Sequence, residues 1–187
     1  MILASASPRR KELLSLLGLP FVIEAADIDE TMDPALPAAQ EVARVSRRKA
    51  LAVSRNPEDV VIAADTIVVC DNQVLGKPKG QEEAIKMLHL LSGRDHQVMT
   101  GCTVLHGEKT ESFTEVTDLH FRPLTDREII KYVESGEPMD KAGAYGIQGG
   151  AALFCEKLSG DYYNVVGLPL CRLWKTLQDL VPEWMEA

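Results

Sequence analysis

The sequence has few cysteines, and none of them is spaced for a metal or redox site. The four are Cys70, Cys102, Cys155 and Cys171, and no two form a C-x-x-C pair. None lies at zinc-ligand spacing from a histidine, which argues against a structural zinc site. Because three of the four stand in apolar runs, we expect small buried side chains in a reducing compartment.

The chain also lacks an excess of basic residues and any long hydrophobic run. Lys and Arg number 20 against 28 Asp and Glu, which gives a formal net charge of −8. Nucleic-acid binding depends on clustered positive charge, so we expect no nucleic-acid partner. No apolar run approaches the ~18 residues of a membrane-spanning helix, and residues 1–5 carry no charged leader region. We therefore expect a cytoplasmic protein with no membrane partner.

Motifs of several large enzyme classes are absent. The sequence has no G-x-x-x-x-G-K-[ST] phosphate loop, no G-x-G-x-x-G dinucleotide fingerprint and no H-E-x-x-H zinc motif. It has no G-x-S-x-G nucleophile turn, and no cysteine pairs convincingly with a histidine. Any phosphate or metal chemistry must therefore use another arrangement of residues.

The apolar pattern predicts strands mixed with helices. Residues 60–70, VVIAADTIVVC, form a β-branched run that is typical of a central strand buried on both faces. A helix is predicted to begin after Ser7 and to end near Gly18, and residues 40–54 are amphipathic. Residues 152–166 are predicted to form a hairpin.

A capping box adds a local prediction near the middle of the chain. Thr125 and Glu128 have its spacing, and a helix should follow them. The mixture of helices and hairpins predicts an α/β or α+β protein with a mixed sheet. The length favours a single domain over residues 1–187.

Asp65 stands in the middle of the most apolar predicted strand. A buried carboxylate is costly unless a cation or several donors compensate it, and Thr66 adds another polar atom. One interpretation is an aspartate that bonds to a neighbouring loop at the strand end. We favour a metal ligand or a general base.

Cations crowd into the first turn of the first predicted helix, where the helix dipole favours anions. Arg9 and Arg10 follow the hydroxyls of Ser5 and Ser7. Together with the backbone N–H groups of the helix start, they suit an oligophosphate. Two arginines pointing into solvent are the plainer alternative.

Four further polar residues are weak signals on their own. Lys49 lies on the amphipathic helix and Lys77 lies in LGKP, where lysines are usually solvated. Glu30 lies in DIDE, and with a second carboxylate beside a phosphate it would suit Mg²⁺. Gln148 lies in a Gly-rich loop, where its amide is able to read a base edge. The whole set predicts phosphoester or phosphoanhydride chemistry with a divalent metal.

Five ordered segments resemble the Maf family of nucleotide pyrophosphatases. They are LASASPRRKELL, AADTIVV, LGKP, LSGRDHQVMTG and EPMDKAGAYGIQG, and the resemblance continues to VVGLPL. It implies the α/β fold of the inosine triphosphate pyrophosphatases (Ham1), with a long mixed β-sheet flanked by helices in two lobes and a central cleft. It also implies hydrolysis of nucleoside triphosphates to monophosphate and pyrophosphate with Mg²⁺ or Mn²⁺. A homodimer and roles in septum formation and in removing non-standard nucleotides are further implications.

Three positions in the resemblance imply the substrate. The family branch that acts on dTTP and UTP has the residues found here as Arg9, Thr66 and Gln148. The branch that acts on 7-methyl-GTP has a bulkier aromatic residue, Gln and Glu there. The resemblance therefore implies dTTP and UTP. The alternatives are 7-methyl-GTP, a modified pyrimidine triphosphate, or a non-catalytic nucleotide-binding regulator of septation.

The resemblance also implies roles for single residues. Asp65 matches the family's catalytic acidic position, usually described as the proton acceptor, and Glu30 and Asp65 are the expected metal ligands. Thr66 and Gln148 are expected to select the base. The remaining expected substrate-binding residues are Ser7, Arg9, Arg10, Lys49 and Lys77. Whether Asp65 acts as a base or only as a ligand stays open.

Overall fold

A computed structural model of the chain describes residues 1–53 and 56–182. The strands in these ranges are β1 Ile2–Leu3, β2 Val22–Ile23, β3 Val60–Cys70, β4 Gln73–Leu75, β5 Asp95–His106, β6 Lys109–Phe121 and β7 Cys155–Ser159. The α-helices are α1 Pro8–Ser15, α2 Ala38–Val53, α3 Gln81–Leu91, α4 Asp126–Glu134, α5 Tyr162–Val166 and α6 Leu170–Leu180. Short 3₁₀ turns cover Glu137–Asp140, Ala142–Ala144 and Gly150–Leu153.

The strands form one mixed sheet. Its order is β2-β1-β3-β5-β6-β7, and β4 pairs with β3. β1 runs parallel to β2 and β3, whereas β4 is antiparallel to β3 and β7 is antiparallel to β6. The predicted α/β class with a mixed sheet is therefore confirmed.

β3 has the burial expected of a central strand. Asp65 and Thr66 are the two partly exposed residues among its 11, and the other residues are buried. The apolar run therefore fills the interior on both sides of this point. The polar pair marks the place where the strand becomes partly exposed.

Two compact units share the long strands of the sheet. The first unit comprises residues 1–65, residues 100–115 and the described residues from 167 onward. The second comprises residues 66–99 and 116–166. β3, β5 and β6 contribute residues to both. That residues 1–187 form a single domain stays a prediction.

Each unit has its own hydrophobic core. In the first unit, α2 and the strands bury apolar side chains against one another, among them Ile2, Ala50, Val61 and Leu105. The second unit has a core of Leu88, Leu91, Leu119, Phe121 and Ile129 with their neighbours. These cores fix the helices and strands on which the polar residues stand.

His96, a buried polar residue of the second unit, lies within the aromatic core. The ring of His96 packs edge-to-face against Phe121, and its Nε2 lies 2.9 Å from the hydroxyl of Tyr145. Burial lowers the pKa of His96 to about 4, so the ring is neutral at pH 7. A neutral imidazole in this position is a structural group.

The helix predictions hold with small shifts at the ends. Residues 40–54 were expected to be helical, and α2 covers Ala38–Val53, while residue 54 lies outside the described residues. α1 ends at Ser15, and Gly18 takes a positive φ of 70° in the following turn. The capping box of Thr125 and Glu128 at the start of α4 is confirmed.

The predicted hairpin over residues 152–166 is wrong. β7 pairs with β6, and Tyr162–Val166 forms helix α5. Asn164 of α5 donates its side-chain amide to the backbone oxygen of Val98 and to Oγ1 of Thr117, both at 3.0 Å. These long-range bonds fix the short helix against the local β-propensity of its residues.

Replacing Glu128 by Gln should lower the stability of the second unit in a pH-dependent way. Its bond with Arg122 lowers the pKa of Glu128 to about 2, from an ordinary value of about 4.3. Because the folded pKa is depressed, the carboxylate stabilises the fold above the ordinary value, and this contribution is lost as pH falls toward 2. Urea unfolding of wild type and Glu128→Gln should therefore differ at pH 7 and converge at low pH. A difference that is constant over this range would contradict the assignment, and Glu134→Gln on the same helix is the control.

Candidate active site

Lys49 connects two carboxylates in the first unit. Its Nζ lies 2.7 Å from Oδ1 of Asp65 and 3.0 Å from Oε1 of Glu30. The side chain of Lys49 is 8% exposed and that of Asp65 is 15% exposed, whereas Glu30 is 48% exposed. The ammonium therefore compensates the carboxylate that β3 carries in its apolar run.

A close approach of α2 to β5 places Lys49 at this depth. A Cβ on Gly101 of β5 would lie less than 3.0 Å from the backbone of Val42 in α2. Beside this contact the hydroxyls of Ser46 and Thr103 share a hydrogen bond of 2.8 Å. Since only glycine permits this separation, Gly101 sets the distance from helix to sheet.

Arg48 holds the backbone on both sides of Glu30. Its Nη2 donates to the carbonyl oxygen of Asp29 at 2.5 Å and to that of Thr31 at 3.4 Å. Glu30 lies between these two residues, in the segment that joins β2 to α2. One helix therefore supplies both the ammonium that contacts Glu30 and the guanidinium that fixes its backbone.

The same helix anchors the segment a second time, through Glu41. This carboxylate is 1% exposed and accepts the backbone N–H of Asp33 at 2.9 Å. Arg44, three residues along α2, donates to it at 2.5 and 2.7 Å. The bonds from Arg44 lower the pKa of Glu41, so this buried group stays ionised at neutral pH.

The start of α1 carries a fixed guanidinium. Nε of Arg10 donates to the carbonyl oxygen of Gly167 at 2.8 Å, and its Nη1 donates to Oγ of Ser5 at 3.3 Å. The backbone N–H of Ser7, the N-cap residue, donates to the same Oγ at 3.2 Å. The serines and the first turn of α1 are therefore tied to Arg10.

The charges at the start of α1 interact with the cluster that Lys49 forms with Glu30 and Asp65. Burial lowers the pKa of Arg10, the charge of Asp65 opposes that shift, and the neighbouring charge of Arg9 adds to it. The charge of Glu30, like that of Asp65, raises the pKa of Arg10. An arginine remains protonated at neutral pH despite such shifts. Arg9 and Arg10 therefore lie near the two carboxylates that Lys49 contacts.

Comparison with known proteins identifies the family of this chain. The family described as "Maf-like protein" matches residues 1–180. This chain belongs to the Maf-like family. A dTTP/UTP pyrophosphatase of Bacillus pumilus is 50% identical over 179 residues, covering 95% of each chain. A dTTP/UTP pyrophosphatase of Symbiobacterium thermophilum is 54% identical over 173 residues, covering 92% of this chain and 89% of its own.

The fold of this Maf-like protein also has a counterpart among solved structures. A HAM1 protein from Coxiella burnetii superposes with a TM-score of 0.51 at 14% identity, covering 95% of this chain and 98% of its own. The predicted family and the predicted Ham1-like fold are both confirmed. At this identity the similarity concerns the fold alone.

The predicted site residues of this Maf-like protein fall in both units. Lys49 contacts both Asp65 and Glu30 in the first unit, where Ser7, Arg9 and Arg10 lie at the start of α1. Thr66, Lys77 and Gln148 belong to the second unit. Thr66 is partly exposed in β3, whereas Lys77 and Gln148 are exposed in loops. Their roles beside a substrate stay predictions.

Glu30 and Asp65 offer oxygen donors of the kind that a divalent cation uses. Among residues 1–53 and 56–182, no group of three or more His, Cys, Asp or Glu is placed to hold a metal ion. Mg²⁺ commonly uses one or two carboxylates and completes its shell with water and substrate phosphate. Glu30 and Asp65, which both form ion pairs with Lys49, match that smaller donor set.

Sequence reasoning missed Arg48 and Glu41. The opposite charges stand seven positions apart on α2, which places them on one side of the helix. That spacing is a usable signal for a helix that binds a neighbouring segment. Their acceptor and donor are backbone atoms of residues 29, 31 and 33, which no sequence pattern marks.

Within residues 1–53 and 56–182, none of the helices has both the length and the apolar character that a membrane span requires.

Replacing Gly101 by Ala should destabilise the first unit. The new methyl group would collide with backbone of α2, and overpacking of this kind costs about 1–3 kcal/mol. Urea unfolding measures the loss. The matched control is Gly76→Ala, because a Cβ at Gly76 meets nothing within 4 Å. Equal stability of the two variants would show that α2 does not need this approach.

Proposed function

We propose that this Maf-like protein hydrolyses dTTP and UTP to the monophosphate and pyrophosphate. The observation that carries the proposal is the contact of Lys49 with both Glu30 and Asp65, beside the fixed guanidinium of Arg10. Cationic side chains bind phosphate, and carboxylates bind a metal ion or accept a proton from water. Curated relatives about half identical over nearly the whole chain bear the name dTTP/UTP pyrophosphatase, which supports these substrates.

The triphosphate binds to the cationic side of the cluster. Arg9, Arg10 and Lys49 offset its negative charge, and the first turn of α1 adds backbone N–H groups. Arg10 is already held by Gly167 and Ser5, so its plane needs little reorganisation when phosphate arrives. Preorganised donors of this kind stabilise the charge that develops in the transition state. Ser7 and Lys77 add further donors to the phosphates.

Asp65 acts on the attacking water. Its carboxylate orients the water and accepts a proton from it as the oxygen bonds to the α-phosphorus. The bond from the α-phosphorus to the bridging oxygen breaks, and pyrophosphate leaves with that oxygen. Lys49 holds Asp65 through the 2.7 Å contact, which limits the directions in which the carboxylate can point.

Glu30 and Asp65 would hold a divalent cation, Mg²⁺ or Mn²⁺. When bound, the cation supplies charge stabilisation to the phosphate oxygens. The backbone bonds from Arg48 keep Glu30 on the same side of α2 as Lys49. Thus the protein's contribution is a fixed pair of oxygen ligands.

Thr66 and Gln148 select the base. A carboxamide both donates and accepts, which suits the O4 and N3 edge of thymine or uracil. A carboxylate at position 148 would suit the donor-rich edge of 7-methylguanine instead. Arg9, Thr66 and Gln148 all favour the pyrimidine substrates. The homodimer, the cytoplasmic location and the roles in septum formation and in removing non-standard nucleotides stay predictions.

Purified protein should release pyrophosphate from dTTP and UTP in preference to other nucleotides. The test incubates it with each common nucleoside triphosphate and with 7-methyl-GTP, in Mg²⁺ and in Mn²⁺, and measures pyrophosphate. Release only from 7-methyl-GTP would contradict the assignments of Arg9, Thr66 and Gln148. Tight nucleotide binding without any release would favour a non-catalytic regulator.

The variant Asp65→Asn should lose about 10²–10⁴-fold in turnover, the range of a lost general base. Titration of the variant with Mn²⁺ separates the two roles of the carboxylate. Weakened metal affinity supports a ligand role, and unchanged affinity supports a base alone. Glu108→Gln, in the exposed β5–β6 turn, is the control. Full activity of Asp65→Asn would overturn the mechanism.

A further inference from the structure

The segment that carries Gln148 is tied at both ends to two side chains outside it. The N–H of Gly146 donates to the hydroxyl oxygen of Tyr132, and the N–H of Gly150 donates to Oε2 of Glu137, each at 3.0 Å. The Tyr132 hydroxyl donates to Oε1 of Glu137 at 2.8 Å. These three bonds form a continuous chain from one end of residues 146–150 to the other.

Glycine at position 149 allows the carboxylate to reach the backbone. A Cβ on Gly149 would lie less than 3.0 Å from the carboxylate of Glu137, and one on Gly150 would lie 3.2 Å from the ring of Tyr132. The N–H of Gly149 also donates to the carbonyl oxygen of Gly146 at 3.1 Å, which closes the turn around Gln148. The two side chains thus occupy the space that longer residues in the segment would need.

Tyr132 and Glu137 are themselves held in place by further contacts. Tyr132 is 7% exposed on α4, and its ring packs edge-to-face on Phe154 at 5.2 Å. Burial raises the pKa of Tyr132, so its hydroxyl keeps its proton at neutral pH. The backbone of Glu137 is anchored through its oxygen, which accepts from Nζ of Lys141 at 2.6 Å, and its N–H, which donates to Oγ of Ser135.

We propose that Tyr132 and Glu137 are positioning residues for base selection by Gln148. The inference rests on the proposed function, in which Gln148 reads the base. Gln148 is exposed, so packing restrains its side chain less than it would restrain a buried one. Holding the backbone beneath it reduces the conformations that the amide must give up when a base binds. Discrimination between bases should then depend on Tyr132 and Glu137, although neither touches the base.

The test uses substrates that differ at the recognised edge. Cytosine carries a donor at position 4 and an acceptor at N3, the reverse of thymine. We expect Tyr132→Phe to lower the ratio of kcat/KM for dTTP to that for dCTP by roughly tenfold, about one hydrogen bond. The loss should appear mainly in KM for dTTP. Glu137→Ala should have the same effect, and Glu137→Gln, which retains an acceptor, should recover part of it.

Two further measurements separate positioning from general stability. Amide hydrogen exchange should accelerate at Gly146 in Tyr132→Phe and at Gly150 in Glu137→Ala, because each variant removes the acceptor of that amide. Exchange at both glycines should remain unchanged in the control Tyr162→Phe, an exposed tyrosine of α5. A purely structural role would lower the melting temperature and the activity on all nucleotides together, leaving the ratio unchanged. That result in both Tyr132→Phe and Glu137→Ala would overturn the inference.

Failure of the inference is distinguishable from failure of the proposed function. Wild-type protein that releases no pyrophosphate from dTTP overturns both. Wild-type protein that prefers dTTP, with the preference intact in Tyr132→Phe and Glu137→Ala, overturns the inference alone. A reduced ratio with accelerated exchange at Gly146 and Gly150 supports it.

Discussion

The contact between the Lys49 ammonium and the Asp65 carboxylate is the interaction on which the proposed chemistry depends. An ionised carboxylate in a strand this deeply buried is unfavourable without a cation beside it. Lys49 supplies that cation at 2.7 Å and holds Glu30 as well. The position of Lys49 depends in turn on Gly101, where α2 meets β5. The contact of α2 with Gly101, a residue distant from Lys49 in the sequence, therefore determines where these charges lie.

The predicted site residues of the first unit are mainly charged, whereas those of the second are Lys77 and the uncharged Thr66 and Gln148. The first holds fixed charges, and its ion pairs and backbone bonds come largely from α2 and α1. The second holds a hydroxyl at Thr66 and an amide at Gln148, whose segment is braced by Tyr132 and Glu137. Charges suit phosphate and metal, whereas hydroxyl and amide groups suit a base edge. On the proposed function, changes in the charged residues should affect turnover, whereas changes at Thr66 and Gln148 should affect substrate choice.

Features that depend on neighbouring residues could be predicted from the sequence, whereas features that depend on long-range contacts could not. The β-branched run of β3 and the capping box of Thr125 depend on neighbouring residues, and both predictions hold. Asp65 stood out because a carboxylate interrupts an apolar run. The helix at Tyr162–Val166 was missed because bonds from Asn164 to distant residues decide it. The predicted substrate came from a resemblance to a family, since no periodicity specifies a base.

The most direct test of the central claim is the fate of the solvent oxygen. Hydrolysis of dTTP in water enriched in oxygen-18, followed by mass spectrometry of both products, identifies the phosphorus that is attacked. With Asp65 directing water to the α-phosphorus, the label should enter dTMP and be absent from pyrophosphate. Label in pyrophosphate would place the attack on the β-phosphorus and contradict the mechanism built on the Lys49 and Asp65 pair.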